Sequence, residues 1–260
     1  MPELPEVETV VRSLAPHLTG RRIVEAVFTS HRVTPGNRLK LAARFAGRTI
    51  LKVERRGKFI VISLDQGTLV VHLGMTGKLR IDGAAEEHTY GVFTLDDGVL
   101  RYIDPRQFGR IEWSPKRVER LGPEPLEISL EEFSRRLQAR KSRVKPLLLN
   151  QAFLAGVGNI YADEALFNAG IHPLAIASRL SAPRIARLHQ AIREVLTLAI
   201  EHRGSSISDY VDAAGEKGTF QLLHRVYGRE GEACVNCGGA IKKIVAGGRG
   251  THFCAKCQRR

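Results

Sequence analysis

The feature that most restricts this chain lies near its end: Cys234-x2-Cys237 and Cys254-x2-Cys257, separated by 16 residues. This is the spacing of a four-thiolate zinc ribbon, because each Cys-x2-Cys turn sets two sulfurs on one tetrahedral ion. Gly238-Gly239 lets the chain bend after the first pair. Metal binding supplies folding energy that a terminal module of about 30 residues cannot draw from a core of its own. All four ligands are protein sulfurs, so the expected ion is a single structural Zn2+ with no open position for water. Pairing the same cysteines as two disulfides needs an oxidising compartment. The start, Met1 to Glu8, is acidic and proline-broken, unlike an export signal, and the chain is expected to be cytoplasmic.

Charge points to the partner. The 260 residues carry 40 Lys plus Arg against 27 Asp plus Glu, a net charge of +13. Excess cation on a chain long enough to bury a core favours a polyanion, nucleic acid first. No apolar run reaches the roughly 18 to 20 residues of a membrane span. Aromatics are 6%, with no basic amphipathic helix, so a membrane surface is not the expected partner. Gly231 to Arg260 holds six basic residues and one acid, with Arg249 among glycines in Ala246-Gly247-Gly248-Arg249-Gly250. An arginine at a glycine-rich hairpin tip suits insertion into a DNA groove; the plainer reading is a solvated turn arginine.

Periodicity divides the rest. Val7, Val10, Val11, Leu14 and Leu18 recur at helical spacing, with Glu3, Glu6 and Glu8 at the positive end of the dipole and Gly20 as a stop. Between Ile23 and Trp113 the pattern changes to eight short β-branched runs: 23–28, 49–54, 59–64, 68–73, 78–81, 90–95, 100–103 and 110–113. Turn signals such as Asp65-Gln66-Gly67 and Asp97-Gly98 separate them, and no helix is expected between them, which predicts an antiparallel sandwich or barrel. Pro115, Pro123 and Pro125 mark 114–128 as a linker. Helical periodicity then resumes. Phe133 to Ala162 carries six basic residues and no acid, and Ile185, Leu188, Ile192, Val195 and Leu196 line a later helix ending before Gly204. Ser205 to Glu232, with Gly215, Gly218, Gly228 and Gly231, has no period and reads as a mobile loop.

Pro2 is chemically conspicuous. If Met1 is removed, as is usual before a small second residue, Pro2 presents a secondary α-amine beside Glu3. At a reference pKa near 7.7 to 8.0, roughly 10% of such an amine is free base at pH 7, against well under 0.1% of a lysine. It is therefore much readier to form a Schiff base, and a secondary amine gives an iminium that stays cationic at any pH. Proline and glutamates at a helix start are equally ordinary capping chemistry, and spacing alone does not choose between the two.

Longer motifs narrow the choice. Met1-Pro2-Glu3-Leu4-Pro5-Glu6-Val7-Glu8-Thr9, His72-Leu73-Gly74-Met75-Thr76-Gly77, Asp104-Pro105-Arg106-Gln107-Phe108-Gly109, Gly156-Val157-Gly158-Asn159-Ile160-Tyr161-Ala162 and the cysteine ribbon run from one end of the chain to the other. Together they resemble the bacterial formamidopyrimidine-DNA glycosylase family. The sister endonuclease VIII family shares the Pro-Glu start but usually has Gly where this chain has Leu4.

The resemblance implies an α+β fold: an N-terminal helix with an antiparallel β-sandwich (1–113), a linker (114–128), a helical DNA-binding domain (129–232) whose loop at about 205–224 caps the lesion, and a zinc ribbon (233–260). It implies a monomeric base-excision enzyme acting on double-stranded DNA that contains oxidised purines, as DNA glycosylase and AP lyase. By motif, Pro2 is the expected nucleophile and Glu3 the acid that aids sugar opening, with Glu6 positioning the helix start. Lys58 is expected in proton transfer or phosphate binding. Arg249 is expected to aid δ-elimination; a guanidinium is a poor proton donor, so phosphate binding comes first. Met75, Arg106 and Phe108 match the trio that fills the void left by a flipped base, while Gln107 stands where a basic residue often follows the arginine. His88, Arg140, Lys145, Asn159 and Tyr227 match phosphate-holding positions. Two rival readings are an endonuclease VIII-like enzyme for oxidised pyrimidines and a non-catalytic zinc-ribbon protein that binds damaged DNA.

Overall fold

The computed structural model describes residues 1–84, 86–206 and 210–260. It divides into two compact units, Met1–Glu119 with His202–Thr219, and Arg120–Glu201 with Phe220–Arg260. In this grouping 202–219, expected with the helical domain, clusters with the N-terminal unit, the ribbon at 233–260 clusters with the helices, and the expected linker is divided between the two units.

Helix α1 (Leu4–Leu18) opens the first unit. Glu3 N–H donates to Glu6 Oε2 at 2.7 Å, satisfying a donor that the helix start would otherwise orphan. Val7, Val10, Val11, Leu14 and Leu18 are all buried, each burial worth roughly 1.5 to 3 kcal/mol relative to exposure. Eight strands follow: β1 (Ile23–Phe28), β2 (Ile50–Arg56), β3 (Phe59–Leu64), β4 (Thr68–His72), β5 (Lys78–Ile81), β6 (Thr89–Leu95), β7 (Val99–Ile103) and β8 (Arg110–Trp113). They form two four-stranded antiparallel sheets, β1-β6-β7-β5 and β2-β3-β4-β8, with inward residues of both in one hydrophobic cluster. The expected sandwich is present.

One expectation fails. The segment between β1 and β2 is not free of helix: α2 (Arg38–Phe45) starts where the Asn37 side chain accepts the Lys40 N–H at 2.9 Å. Its only buried residue is Phe45, whose ring packs edge-on against Phe28 and Phe93. A short helix that buries one side chain leaves almost no periodic signal; the asparagine cap was the readable mark.

In the second unit, α3 (Leu130–Gln138) is capped by Ser129 and followed by α4 (Val144–Leu149), α5 (Asn159–Asn168) and α6 (Ala182–Glu201). In α5 every residue from Ile160 to Phe167 is buried, Asp163 and Glu164 included, so both carboxylates need internal partners. Beyond α6, Phe220–Leu223 forms a short 3-10 turn. The hairpin β9 (Ile241–Ala246) and β10 (Arg249–Cys254) follows near the end of the chain, packed on a core of Phe167, Val226, Cys234, Ile241 and Cys254. Among the described residues no helix is long and apolar enough to cross a membrane.

Candidate functional site

The start of the chain is buried from Pro2 onward. Burial lowers the pKa of the Met1 α-amine, one residue before Pro2; Glu3 and Glu6 oppose the shift, and Lys58 and Arg106 reinforce it. Those four charges therefore act on the Met1 nitrogen. Glu6 serves two segments, accepting Glu3 N–H through one oxygen and Ser205 N–H through the other at 2.7 Å. Lys58 sits in the two-residue turn between β2 and β3, only 6% exposed. That turn is braced from α1: Arg55 donates to Glu8 at 2.9 Å and to the Gly57 carbonyl at 3.2 Å, while Arg12 holds the other Glu8 oxygen at 2.8 Å.

Arg106 leads to the second part. Its guanidinium lies 4.7 Å from the Phe108 ring centre, and Phe108 and Met75 are 52% and 41% exposed. On hydrophobicity alone both would be core residues; here they are held outward. Gly74, at φ +63°, allows it: a Cβ there would lie 2.5 Å from the Phe108 and Gly109 backbone, so the turns carrying Met75 and Phe108 touch through a glycine. Asp104, wholly buried, ties both together by accepting from Thr76 Oγ1 at 2.6 Å, Gly109 N–H at 2.8 Å and Tyr102 OH at 3.1 Å.

His72 lies behind them, its Nδ1 accepting Gly74 N–H at 3.1 Å. Burial, then Arg117, Lys58 and Arg110, push its pKa down to about 4, against a smaller pull from Asp104. A histidine so depressed stays neutral when folded while the unfolded chain protonates near pH 6.5. Its contribution to stability is thus intact above about pH 6.5 and is lost as pH falls toward 4. NMR titration is expected to leave the His72 imidazole signals unmoved down to about pH 5; a midpoint near the unperturbed value of about 6.5 would refute the assignment.

The remaining expected residues gather in the second unit. The Lys145 side chain is fully buried, and its Nζ meets Asp163 Oδ1 at 2.6 Å, Thr251 Oγ1 at 2.7 Å and the Gly250 carbonyl at 3.2 Å. Asn159 donates to the same carbonyl at 3.0 Å. Both side chains thus grip the residue next to Arg249, which is exposed at the β9–β10 turn. Asp163 also accepts His252 N–H at 2.9 Å, and the Tyr227 ring stands edge-on to His252 at 5.2 Å. Glu164 accepts three successive backbone N–H groups, from Arg225, Val226 and Tyr227, at 2.8 to 3.0 Å. Burial pushes its pKa up against those bonds. Among the described residues Arg140, exposed beyond α3, shares no side-chain hydrogen bond or ion pair with this group. His88, in the first unit, is partly exposed with φ +65°. Of the expected capping loop, residues 207–209 lie outside the described residues.

The four cysteines converge, their sulfurs all within 4.8 Å of one another. Cys234 and Cys257 sulfurs are 3.8 Å apart, and those of Cys237 and Cys254 are 3.5 Å apart. A tetrahedral ion with Zn–S bonds of about 2.3 Å has edges of about 3.8 Å, so the set fits one structural zinc. It would cross-link the hairpin to the preceding turn and leave no position for substrate.

Three family models match: the formamidopyrimidine-DNA glycosylase N-terminal domain over residues 1–111, its H2TH domain over 121–211, and a zinc finger found in FPG and IleRS over 231–260. The formamidopyrimidine-DNA glycosylase of Solibacter usitatus is 58% identical over 265 residues, covering 100% of each chain. The chain belongs to the formamidopyrimidine-DNA glycosylase family. It is thus similar to DNA glycosylases that are also AP lyases. The MutM (Fpg) protein of Thermus thermophilus superposes with a TM-score of 0.90 at 42% identity, covering 99% of this chain and 98% of that one. A Lactococcus lactis Fpg mutant solved with a Fapy-dG-containing DNA gives 0.91 at 38%, covering 100% of each.

Sequence reasoning gave no role to Asp104, Asp163 or Glu164, although all three lie in or beside quoted motifs. The available signal was a carboxylate within an otherwise apolar stretch, which burial would oblige to find partners.

Proposed function

We propose that this formamidopyrimidine-DNA glycosylase excises oxidised purines, 8-oxoguanine and formamidopyrimidines, from duplex DNA through the Pro2 amine and then nicks the abasic strand by β,δ-elimination. The observation that carries this reading is the cluster at the chain start: Pro2, Glu3, Glu6 and Lys58 are buried, Glu6 accepts the Glu3 N–H, and Glu3, Glu6, Lys58 and Arg106 are the charges acting at the position just before Pro2. The Fapy-dG-containing DNA bound by the Lactococcus relative supports the substrate class.

With Met1 removed, the Pro2 nitrogen bonds to the sugar C1′ as the bond from C1′ to the base breaks, the base leaving with the electron pair and taking up a proton. Glu3, acting as acid, protonates the ring oxygen as the sugar opens to the iminium. The iminium acidifies C2′–H. Loss of that proton expels the 3′ phosphate, and a second elimination expels the 5′ phosphate. Lys58, whose charge acts on the chain-start nitrogen and which is mostly withdrawn from solvent, is suited to move a proton in the first elimination. Met75, Arg106 and Phe108 fill the vacated stack; Arg249, Asn159, Lys145, Tyr227, His88 and Arg140 serve the phosphate backbone directly or by holding the groups that touch it. The zinc maintains the ribbon that presents Arg249.

Borohydride reduction of the enzyme mixed with a duplex carrying 8-oxoguanine opposite cytosine tests this. The expected result is a covalent protein–DNA adduct at the N-terminal peptide. Absence of adduct with protein shown by mass spectrometry to begin at Pro2, or adduct formation only with thymine glycol, overturns the reading.

A further inference from the structure

Between Arg106 and Phe108, Gln107 points the other way and is half-buried where its neighbours are exposed. Its backbone is left-handed, φ +53°, a conformation that non-glycine residues seldom adopt without something to hold them. Several bonds do so. Its N–H donates to the Asp104 carbonyl at 3.0 Å, its Oε1 accepts from Ser30 Oγ at 2.7 Å, and its Nε2 donates to Tyr90 OH at 3.1 Å. Tyr90 OH in turn lies 3.4 Å from His88 Nδ1.

Proton counting gives this chain one direction. Ser30 Oγ already accepts the N–H groups of Arg32 and Val33 at 3.1 and 3.2 Å, so its single hydrogen goes to Gln107 Oε1. That orients the amide with Nε2 toward Tyr90 and leaves the Tyr90 hydrogen for His88 Nδ1. The neutral His88 ring then carries its own hydrogen on Nε2, the nitrogen 3.6 Å from Glu87 and on a side chain 39% exposed. The backbone repeats the link, since Asp104 N–H donates to the His88 carbonyl at 3.1 Å.

We propose that Gln107 is a positioning residue: its amide locks the Arg106–Phe108 turn to the exit of β1 and fixes the His88 tautomer, so that the void-filling pair and His88 are presented as one piece. A lysine or arginine at this position could not accept from Ser30, and its charge would oppose an inward path. The inference rests on the proposed roles of Arg106, Phe108 and His88.

Gln107→Met keeps the length and removes both side-chain bonds. Affinity for an 8-oxoguanine duplex is expected to fall about tenfold, the scale of two lost hydrogen bonds, with nicking of a preformed abasic site within about twofold. Gln107→Glu can still accept from Ser30 and can also accept the Tyr90 hydroxyl. It should restore affinity to within about threefold while moving the His88 nitrogen shifts, because the Tyr90 hydrogen turns away from Nδ1. Unchanged affinity in folded Gln107→Met, or failure of Gln107→Glu to rescue, overturns the proposal. Wild-type protein that excises 8-oxoguanine in the same assay keeps that outcome separate from failure of the functional reading.

Discussion

Cys237→Ser is expected to strip the metal and unfold the ribbon. Apparent zinc affinities of thiolate sites reach about 10 to 16 kcal/mol, and that energy is folding energy for a module whose core is five buried residues and a two-stranded hairpin. Losing one of four ligands removes most of it. Amide protection across Ile241–Ala246 and Arg249–Cys254 should collapse toward free exchange, measured by hydrogen exchange beside a zinc assay. The damage should reach α4 and α5, because the Gly250 carbonyl and Thr251 hydroxyl that Lys145 uses belong to the hairpin, so the buried ammonium beside Asp163 loses both. DNA affinity should therefore fall before any chemical step is examined. A metal-free mutant with protected hairpin amides and normal DNA binding would mean that the cysteines are not a structural site.

What was readable in the sequence follows from the range of each signal. The strands and α1 were readable because burial on one face imposes a period within a few residues, and all eight runs recur within two residues of expectation at either end. The cysteine site was readable because ligand spacing is itself local. The α2 helix was not, because its tie to the core is one phenylalanine. The stretch after Ser205 lacks period because distant groups pin it: Glu6 holds Ser205, and Glu164 holds 225–227. Lys145 shows the same limit within the candidate site. Its sequence neighbourhood is basic and suggests an exposed contact, whereas the side chain is buried against Asp163, a partner 18 positions away that no local pattern names.

The second large effect separates two steps by residue. Substitution of Pro2 should remove covalent chemistry while sparing binding, and Phe108→Ala should do nearly the reverse. Replacing Pro2 with an N-terminally blocked residue deletes the nucleophile, so trapping, excision and abasic-site nicking should all be lost; Pro2→Gly, with a primary amine, should keep a weaker lyase. Lesion-duplex affinity should stay near normal in both, because the void-filling roles proposed for Arg106 and Phe108 do not involve Pro2. Phe108 is 52% exposed, so its truncation leaves no cavity and little stability change. Extruding a paired base costs a few kcal/mol, and a side chain that fills the gap offsets part of that cost without touching C1′. If it supplies about 2 kcal/mol, excision from an 8-oxoguanine duplex falls roughly thirtyfold. A preformed abasic site has no base to extrude, and its nicking should fall much less. The measurement is both assays on both mutants at saturating enzyme. If Phe108→Ala loses both activities equally with its fold intact, the void-filling assignment fails, and the exposed ring has some other partner.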